Sequence, residues 1–346
     1  MTVAAGPSLA ESGLRFYGEL IGRAVTSFLP GGRPAEWLYD LVVEYPRRGG
    51  KALRPSLCLA TCEAFGGHLE ECLPSAAAIE ILHNAFLVHD DIEDSSRLRR
   101  GEPTLHRAHG VALALNAGDA LAVLAQRALR SNATVLGGRM AARVADEFDI
   151  MARRTLEGQA IELGWSRDRV VDLGPDDYLA LVMRKTSWYT TVHPLRVGAL
   201  IGTWGAVDPA PLVRFGLLLG AAFQIRDDLL NLDGDEQAYG KEILGDLLEG
   251  KRTLMMIHLL SQLRGAARAD LVAYLGLDRS HRSLADADHV LDLMRAAGSL
   301  DFARAFSGGI AREAEAAYEP AFGAAAHSEA GRFVLSLVPF MVERGR

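Results

Sequence analysis

Two short acidic runs, each closing a long apolar stretch, are the residues of this 346-residue chain best placed to do chemistry. The first is Asp90-Asp91-Ile92-Glu93-Asp94 and the second is Asp227-Asp228-Leu229-Leu230-Asn231. On a helix, positions i and i+4 share a face and i+1 lies beside them, so each run gathers three oxygen-bearing side chains. Acids at a helix C-terminus oppose the macrodipole and cost about 0.3–1 kcal/mol each unless a cation offsets them. Two such clusters facing one cavity supply the hard oxygen ligands that Mg²⁺ takes alongside substrate phosphate and water.

Blocks of cations alternate with these acids. Lys51 and Arg54 follow Gly49-Gly50, and Arg99-Arg100-Gly101 follows the first acidic run. Lys185-Thr186 opens a helical stretch, and Gly240-Lys241 and Gly250-Lys251-Arg252 follow the second run, with Asp246 between them. Only four of the 37 basic residues are lysines: Lys51, Lys185, Lys241 and Lys251. In so arginine-rich a chain, the remaining lysines mark places suited to a compact ammonium rather than a planar fork. Acids and bases alternating beside apolar helices point to Mg²⁺-assisted binding of a diphosphate. Fixed cations and metal would neutralise the departing diphosphate, and an apolar cavity would hold the allylic carbocation away from nucleophiles.

The elements that must position these groups are helices. The stretch from Ser75 to Asp94 carries Ala78, Ile79, Leu82, Ala85, Phe86 and Leu87 at helical spacing, and Pro211 to Leu232 repeats the design with a proline start. Further helices are predicted over Trp37–Tyr45, Leu53–Phe65, Ala117–Arg130, Arg139–Glu162, Asp176–Met183, Thr186–Gly202 and Thr253–Gln262. No region alternates apolar and polar residues as a strand does. The glycine and proline punctuation is too short for linkers. The expectation is therefore a single all-α domain over 1–346, a helical bundle around a central apolar cavity. From about Gly265 the chain turns Ala- and Arg-rich and reads as surface helices and loops.

Composition narrows the function classes. A chain 49% hydrophobic and 23% charged is too apolar for disorder, and no apolar run approaches the ~20 residues of a membrane span. A net charge of −7 argues against general nucleic-acid binding. The first residues lack the basic and apolar regions of a secretory leader. Cys58, Cys62 and Cys72 are too few for a disulfide framework and fit a reducing, cytoplasmic setting. With His68 they match no common zinc spacing and read as buried core residues.

The run from His83 through Asp90-Asp91-Ile92-Glu93-Asp94 resembles the first aspartate-rich region of the trans-isoprenyl diphosphate synthases, or polyprenyl synthetases. Gln224-Ile225-Arg226-Asp227-Asp228 resembles the lead-in to the second, and Gly240-Lys241 through Gly250-Lys251 the region after it. The likeness runs in order from about Gly49 to His258, which sets a catalytic core near 49–258 and C-terminal helices over 265–346. It implies the isoprenoid synthase fold and a head-to-tail condensation of isopentenyl diphosphate with an allylic diphosphate. It also implies that Asp90, Asp94 and Asp227 hold Mg²⁺ directly, in a cluster of ions bound with the allylic diphosphate, with Asp91, Asp228, Asn231 and Asp246 assisting. By the same resemblance Lys51, Arg54, His83 and Arg100 bind the isopentenyl head group. Arg99, Lys185, Lys241 and Lys251 contact the allylic diphosphate, while Thr186 and Gln224 steady the cation near the reacting carbons. Bulk at Leu82, Ala85 and Phe86 sets the floor of the chain cavity. With motifs similar to the eukaryotic-type geranylgeranyl diphosphate synthases, that floor implies a C20 product, with C15 and C25 as alternatives. The family is commonly homodimeric.

Three positions depart from the family pattern. Ala52 stands where many relatives have arginine, Glu162 where aspartate is usual, and Asn231 replaces the final aspartate of the second motif. Asn231 loses a charge but keeps an oxygen ligand. A class I terpene cyclase ionises a prenyl diphosphate in the same manner, but it has no use for the second cationic set of Lys51, Arg54, His83 and Arg100. A non-catalytic partner subunit of a synthase would be expected to have lost one Asp cluster, and both are present here.

Overall fold

The computed structural model describes residues 7–234 and 242–343, so Lys241 lies outside the described residues. Helices dominate, as the apolar periodicity requires. The exception is a two-residue hairpin, β1 (Leu98–Arg99) with β2 (Glu102–Pro103), paired Leu98↔Pro103 and Arg99↔Glu102. The positive φ angles of Arg100 and Gly101 close its turn. None of the described helices is long and apolar enough to cross a membrane.

The helices are α1 (Leu9–Phe28), α2 (Asp40–Arg47), α3 (Leu53–Ala64), α4 (Leu69–Glu93), α5 (Leu105–His109) and α6 (Val111–Arg167), followed by α7 (Pro175–Val182), α8 (His193–Gly202) and α9 (Pro211–Asp233). Met183–Val192, between α7 and α8, is wound as a π-helix, a form often found at functional sites. The C-terminal part holds α10 (Gly245–Glu249), α11 (Leu254–Gln262), α12 (Gly265–Leu275), α13 (Leu284–Ala296), α14 (Ser299–Phe322) and α15 (Glu329–Glu343). α6 breaks at Gly137, whose φ of 72° is left-handed, so the two helices expected there are present and meet at that glycine.

Two findings differ from the sequence expectations. α1 was not foreseen. Ser8 caps it reciprocally with Glu11, and Ala10, Leu14, Tyr17, Ile21 and Val25 form its buried stripe. Gly13 in this helix has no room for a side chain, because a Cβ there would lie 2.1 Å from the Phe333 ring. The second difference is the tail after Gly265, which is not merely surface. α14 packs along α9 and α15 against α3, burying Tyr318, Phe322, Phe333, Val334, Leu337 and Val338. α14 is alanine-rich, which masks its share of the core, whereas the apolar stripe of α15 through Phe333, Val334, Leu337 and Val338 is a helical pattern that overall composition does not register.

Buried side chains form two apolar clusters joined through α9. Phe215 and Leu219, in its first half, belong to a cluster with α1, α3, α4, α6, α8 and α15. Ile225, Leu229 and Leu232, in its second half, belong to another with α7 and α10–α14. Cys58, Cys62 and Cys72 lie buried in the first cluster as free thiols, as the core reading anticipated.

Candidate active site

A cavity of about 360 Å³ opens where side chains from both clusters meet. Its walls come from α3, α4, α6, α7, the π-helix, α9 and the segment around α10, so nearly every group of interest sits on a packed helix rather than a loose loop. The end of α4 contributes Asp90 and Glu93, and α9 contributes Gln224, Asp227 and Asp228. The two acidic runs do share one cavity, and cations stand between them.

Lys185 reaches across from the π-helix to Asp90 Oδ1 at 3.4 Å and also pairs closely with Glu162. Burial alone would lower its ammonium, but Glu162 and Asp90 outweigh that and hold it above the usual lysine range. Lys251 donates to Asp94 Oδ2 at 2.7 Å and stands 2.8 Å from Glu249 Oε2 and 3.7 Å from Asp246 Oδ1. Burial pushes the Asp94 carboxyl well up, although Lys251 pulls it down. α6 can approach the π-helix this closely because residue 158 is glycine: a Cβ there would lie 2.3 Å from the Lys185 backbone nitrogen.

A hydrogen-bonded chain lines the α9 side. Thr186 Oγ1 donates to Gln224 Oε1 at 2.8 Å, and Gln224 Nε2 donates to Asp228 Oδ1 at 2.7 Å. Tyr178 Oη donates to the other Asp228 oxygen, also at 2.7 Å. Burial, with Asp246 nearby, pushes the Asp228 carboxyl up to about 8. A second cationic wall lies toward α3. Arg54 donates to Tyr189 Oη at 2.6 Å, stacks over that ring and meets His83 Nε2 at 3.3 Å. Arg100 donates to the Tyr45 carbonyl at 2.7 Å and to Asn84 Oδ1 at 3.4 Å.

Six candidate residues sit differently from the sequence expectation. Asp91, 1% exposed, turns away from the cavity: it accepts from Tyr45 Oη at 2.6 Å and is gripped by the Arg99 guanidinium. The 100° step per helical residue separates its direction from that of Asp90. Arg99 does line the cavity, 3.8 Å from Asp90, but its main partner is Asp91. Lys51 precedes Ala52, whose left-handed φ of 47° turns the chain, and its exposed ammonium lies 5.8 Å from the Phe340 ring centroid, off the cavity wall. Asn231 faces the following segment, accepting from the Asp246 amide at 2.9 Å and donating to the Glu242 carbonyl at 3.3 Å. Of the floor residues, Phe86 lines the cavity edge-on to Tyr189, while Leu82 and Ala85 are buried behind the wall.

Tyr178, Tyr189 and Gln159 also line the cavity without having been singled out in the sequence, as do Glu93 and Arg252, which stand in its charged runs without an assigned role. Tyr189 was within reach of the argument, since it stands four residues after Lys185 on the same winding. Among the described residues, no three carboxylate, histidine or cysteine side chains gather into a metal cage of their own. The donor set still fits Mg²⁺, which takes one or two carboxylates and completes its shell with phosphate and water. Asp90, Asp227 and Asp246 line one cavity and carry that donor type.

A family model described as polyprenyl synthetase matches residues 35–294. The geranylgeranyl diphosphate synthase of Sulfolobus acidocaldarius is 37% identical over 239 residues, 68% of this chain and 70% of the relative. The geranylfarnesyl diphosphate synthase of Aeropyrum pernix is 34% identical over 260 residues, covering 74% and 79%. Among solved structures, a geranylgeranyl pyrophosphate synthetase from Pyrococcus horikoshii superimposes with a TM-score of 0.82 at 31% identity, over 96% of this chain and 99% of the other. A geranylgeranyl pyrophosphate synthase from Corynebacterium glutamicum, complexed with isoprenyl diphosphate and magnesium, gives 0.85 at 26% identity with the same coverage.

Proposed function

The chain belongs to the polyprenyl synthetase family, and we propose that it condenses isopentenyl diphosphate with an allylic diphosphate to make mainly geranylgeranyl diphosphate. It is a trans-prenyltransferase with the helical fold of that family. The observation that carries the substrate reading is the pairing of two cationic walls in one cavity. Lys185 and Lys251 pair with Asp90 and Asp94, whereas Arg54 meets His83 and Tyr189 and Arg100 meets the Tyr45 carbonyl and Asn84. Two walls suit two diphosphates; a cyclase needs one.

In this reading Asp90, Asp94 and Asp227, with Asp246 in support, hold divalent metal against the allylic diphosphate. Bound there, Mg²⁺ supplies Lewis-acid charge that makes the diphosphate a better leaving group. Lys185 and Lys251 bind the same diphosphate, exchanging part of their carboxylate pairing for phosphate oxygens. Arg54, His83 and Arg100 orient isopentenyl diphosphate so that its double bond faces the allylic carbon. The carbonyl and hydroxyl dipoles of Gln224 and Thr186 face the positive charge as it forms, and the apolar wall of Phe86, Leu87 and Phe223 excludes water. No side-chain base is assigned, because the departing diphosphate can take the proton lost after carbon–carbon bond formation.

Asp91 and Asn231 take positioning roles in this reading, and Arg99 divides its charge between Asp91 and the cavity. The direct test is turnover of purified protein with Mg²⁺, isopentenyl diphosphate and the C5, C10 and C15 allylic diphosphates in turn, with products sized by mass spectrometry. A dominant C20 product is expected, and no condensation with any starter would overturn the reading.

In this reading Phe86 limits product length, for it lines the cavity edge-on to Tyr189, one helical turn after Leu82 on α4. Phe86→Ala is expected to move the main product by at least one C5 unit, toward C25. An unchanged distribution would remove Phe86 from the floor. We extend the reading to a homodimer, supported by Val111, Leu115 and Val123, large apolar residues exposed along one face of α6, and to a reducing, cytoplasmic setting, which the three free cysteines suit. Light scattering should then give twice the 37.3 kDa chain mass, and a monomer mass would reject it.

A further inference from the structure

The segment that carries Asp246 and Lys251 to the cavity is short and tightly turned. α10 has only five residues, begins after Leu244 at a φ of 64° and ends at Gly250 at 70°. So short a helix has little stability of its own. Two arginines from the turn between α12 and α13 hold it from behind.

Arg282 is buried and spends its guanidinium on backbone carbonyls. Its Nε donates to the Tyr274 carbonyl at 3.1 Å, Nη1 to Leu248 at 2.7 Å, and Nη2 to Leu275 at 3.0 Å and Leu277 at 2.5 Å. It thereby satisfies the carbonyl ends of α10 and α12 together, and a positive charge there also complements both helix dipoles. The fit is close, since a Cβ on Gly250 would lie 2.5 Å from Arg282 Nη2. Tyr274 adds a hydrogen bond from its hydroxyl to the Leu247 carbonyl at 2.8 Å. Arg279 grips the same segment through its acids: Nη2 lies 2.7 Å from Glu242 Oε2 and Nη1 3.5 Å from Glu249 Oε1. The other Glu249 oxygen holds Lys251. A continuous set of contacts therefore runs from the α12–α13 turn to the cavity wall.

We propose that Arg279 and Arg282 are positioning residues that fix Asp246 and Lys251 for the allylic diphosphate and its metal. The inference rests on the function proposed above and gives the C-terminal part of the chain a share in the site. The Arg54–His83–Arg100 wall is built from α3, α4 and the hairpin, so its substrate should be little affected.

The test uses the full chain with Arg282→Lys and Arg279→Gln. Lysine keeps the charge but cannot fork to four carbonyls. Small displacements of a binding group reduce rates steeply, so Arg282→Lys is expected to raise KM for the allylic diphosphate about tenfold or more. KM for isopentenyl diphosphate should stay within about twofold of wild type, because its binding wall is separate. Backbone amide exchange over residues 245–252 should accelerate in the same variant without substrate. Arg279→Gln, at a partly exposed position, should show the same pattern more weakly, and it carries the test if Arg282→Lys does not fold. Equal rises in both KM values, or an unchanged allylic KM, would overturn the positioning role. Wild-type exchange over 245–252 in the folded variants would overturn it even if the protein condensed neither substrate, which separates this failure from failure of the function itself.

Discussion

Asp90→Asn is expected to lower turnover by about 10²–10³-fold while leaving the protein about as stable as wild type. Asp90 lines the cavity and faces Lys185, and its carboxylate belongs to the run that confronts Asp227. Amide nitrogen and oxygen occupy nearly the space of the two carboxylate oxygens, so the packing survives. What disappears is a formal negative charge in a place where, on the proposed reading, only charge draws the metal and its diphosphate together. Stability should change little. The Asp90 charge helps push the Asp94 carboxyl upward, so neutralising it relieves repulsion between two acids of one helix end, but it also removes an attraction to Lys185 and Arg99. Lys185 retains Glu162, so no buried ammonium is stranded. A large loss of turnover at little cost in stability marks a site whose charges are kept for function rather than for folding. Steady-state turnover and a thermal midpoint on the same preparation check both halves. Activity within tenfold of wild type would dismiss Asp90 from the metal site.

The neighbouring residue shows how far the sequence could be read. The spacing of apolar residues located α4 and α9 with their acidic ends, and the gap between the predicted helices Ala117–Arg130 and Arg139–Glu162 located the break in α6. Those signals are local, and they are strong because each helix buries a long stripe. Arg54, His83 and Arg100 come from three separate elements, and no spacing rule brings them together; they were legible only through resemblance. Asp91 and Lys51 were placed by motif at functional sites. Their directions depend on a helical step of 100° and on a left-handed residue at Ala52, which a motif does not record. The Ser8–Glu11 cap of α1 could have been found, since both its box and its stripe are local patterns. The grip of Arg282 on α10 could not. Its acceptors are backbone carbonyls, which carry no residue identity, and it lies in a stretch whose composition suggested surface.

Adjacent aspartates should therefore respond in opposite ways, and Arg99→Met tests the second of them. Asp91 is buried with two partners, Arg99 and the Tyr45 hydroxyl, and burial, helped by this carboxylate, holds the Tyr45 phenol above its usual range. Removing the guanidinium leaves a carboxylate in the interior with one hydrogen bond from a neutral phenol. Breaking a buried pair in this way costs about 3–5 kcal/mol, much of it the penalty of the stranded charge. Arg99→Met should accordingly lower the denaturant midpoint sharply. Asp91→Asn/Arg99→Met should recover a substantial part, because asparagine carries no charge yet still offers Tyr45 an acceptor. Recovery of folding should not bring recovery of turnover: Arg99 also stands 3.8 Å from Asp90 on the cavity wall, and the double variant lacks that cation. If Arg99→Met unfolds at the wild-type midpoint, the pair contributes nothing to stability and Asp91 is released for the metal-assisting role that its motif assigns. If the double variant is no more stable than Arg99→Met, the stranded charge is not the cause. The two midpoints together test whether the Asp91 carboxylate is kept for the fold.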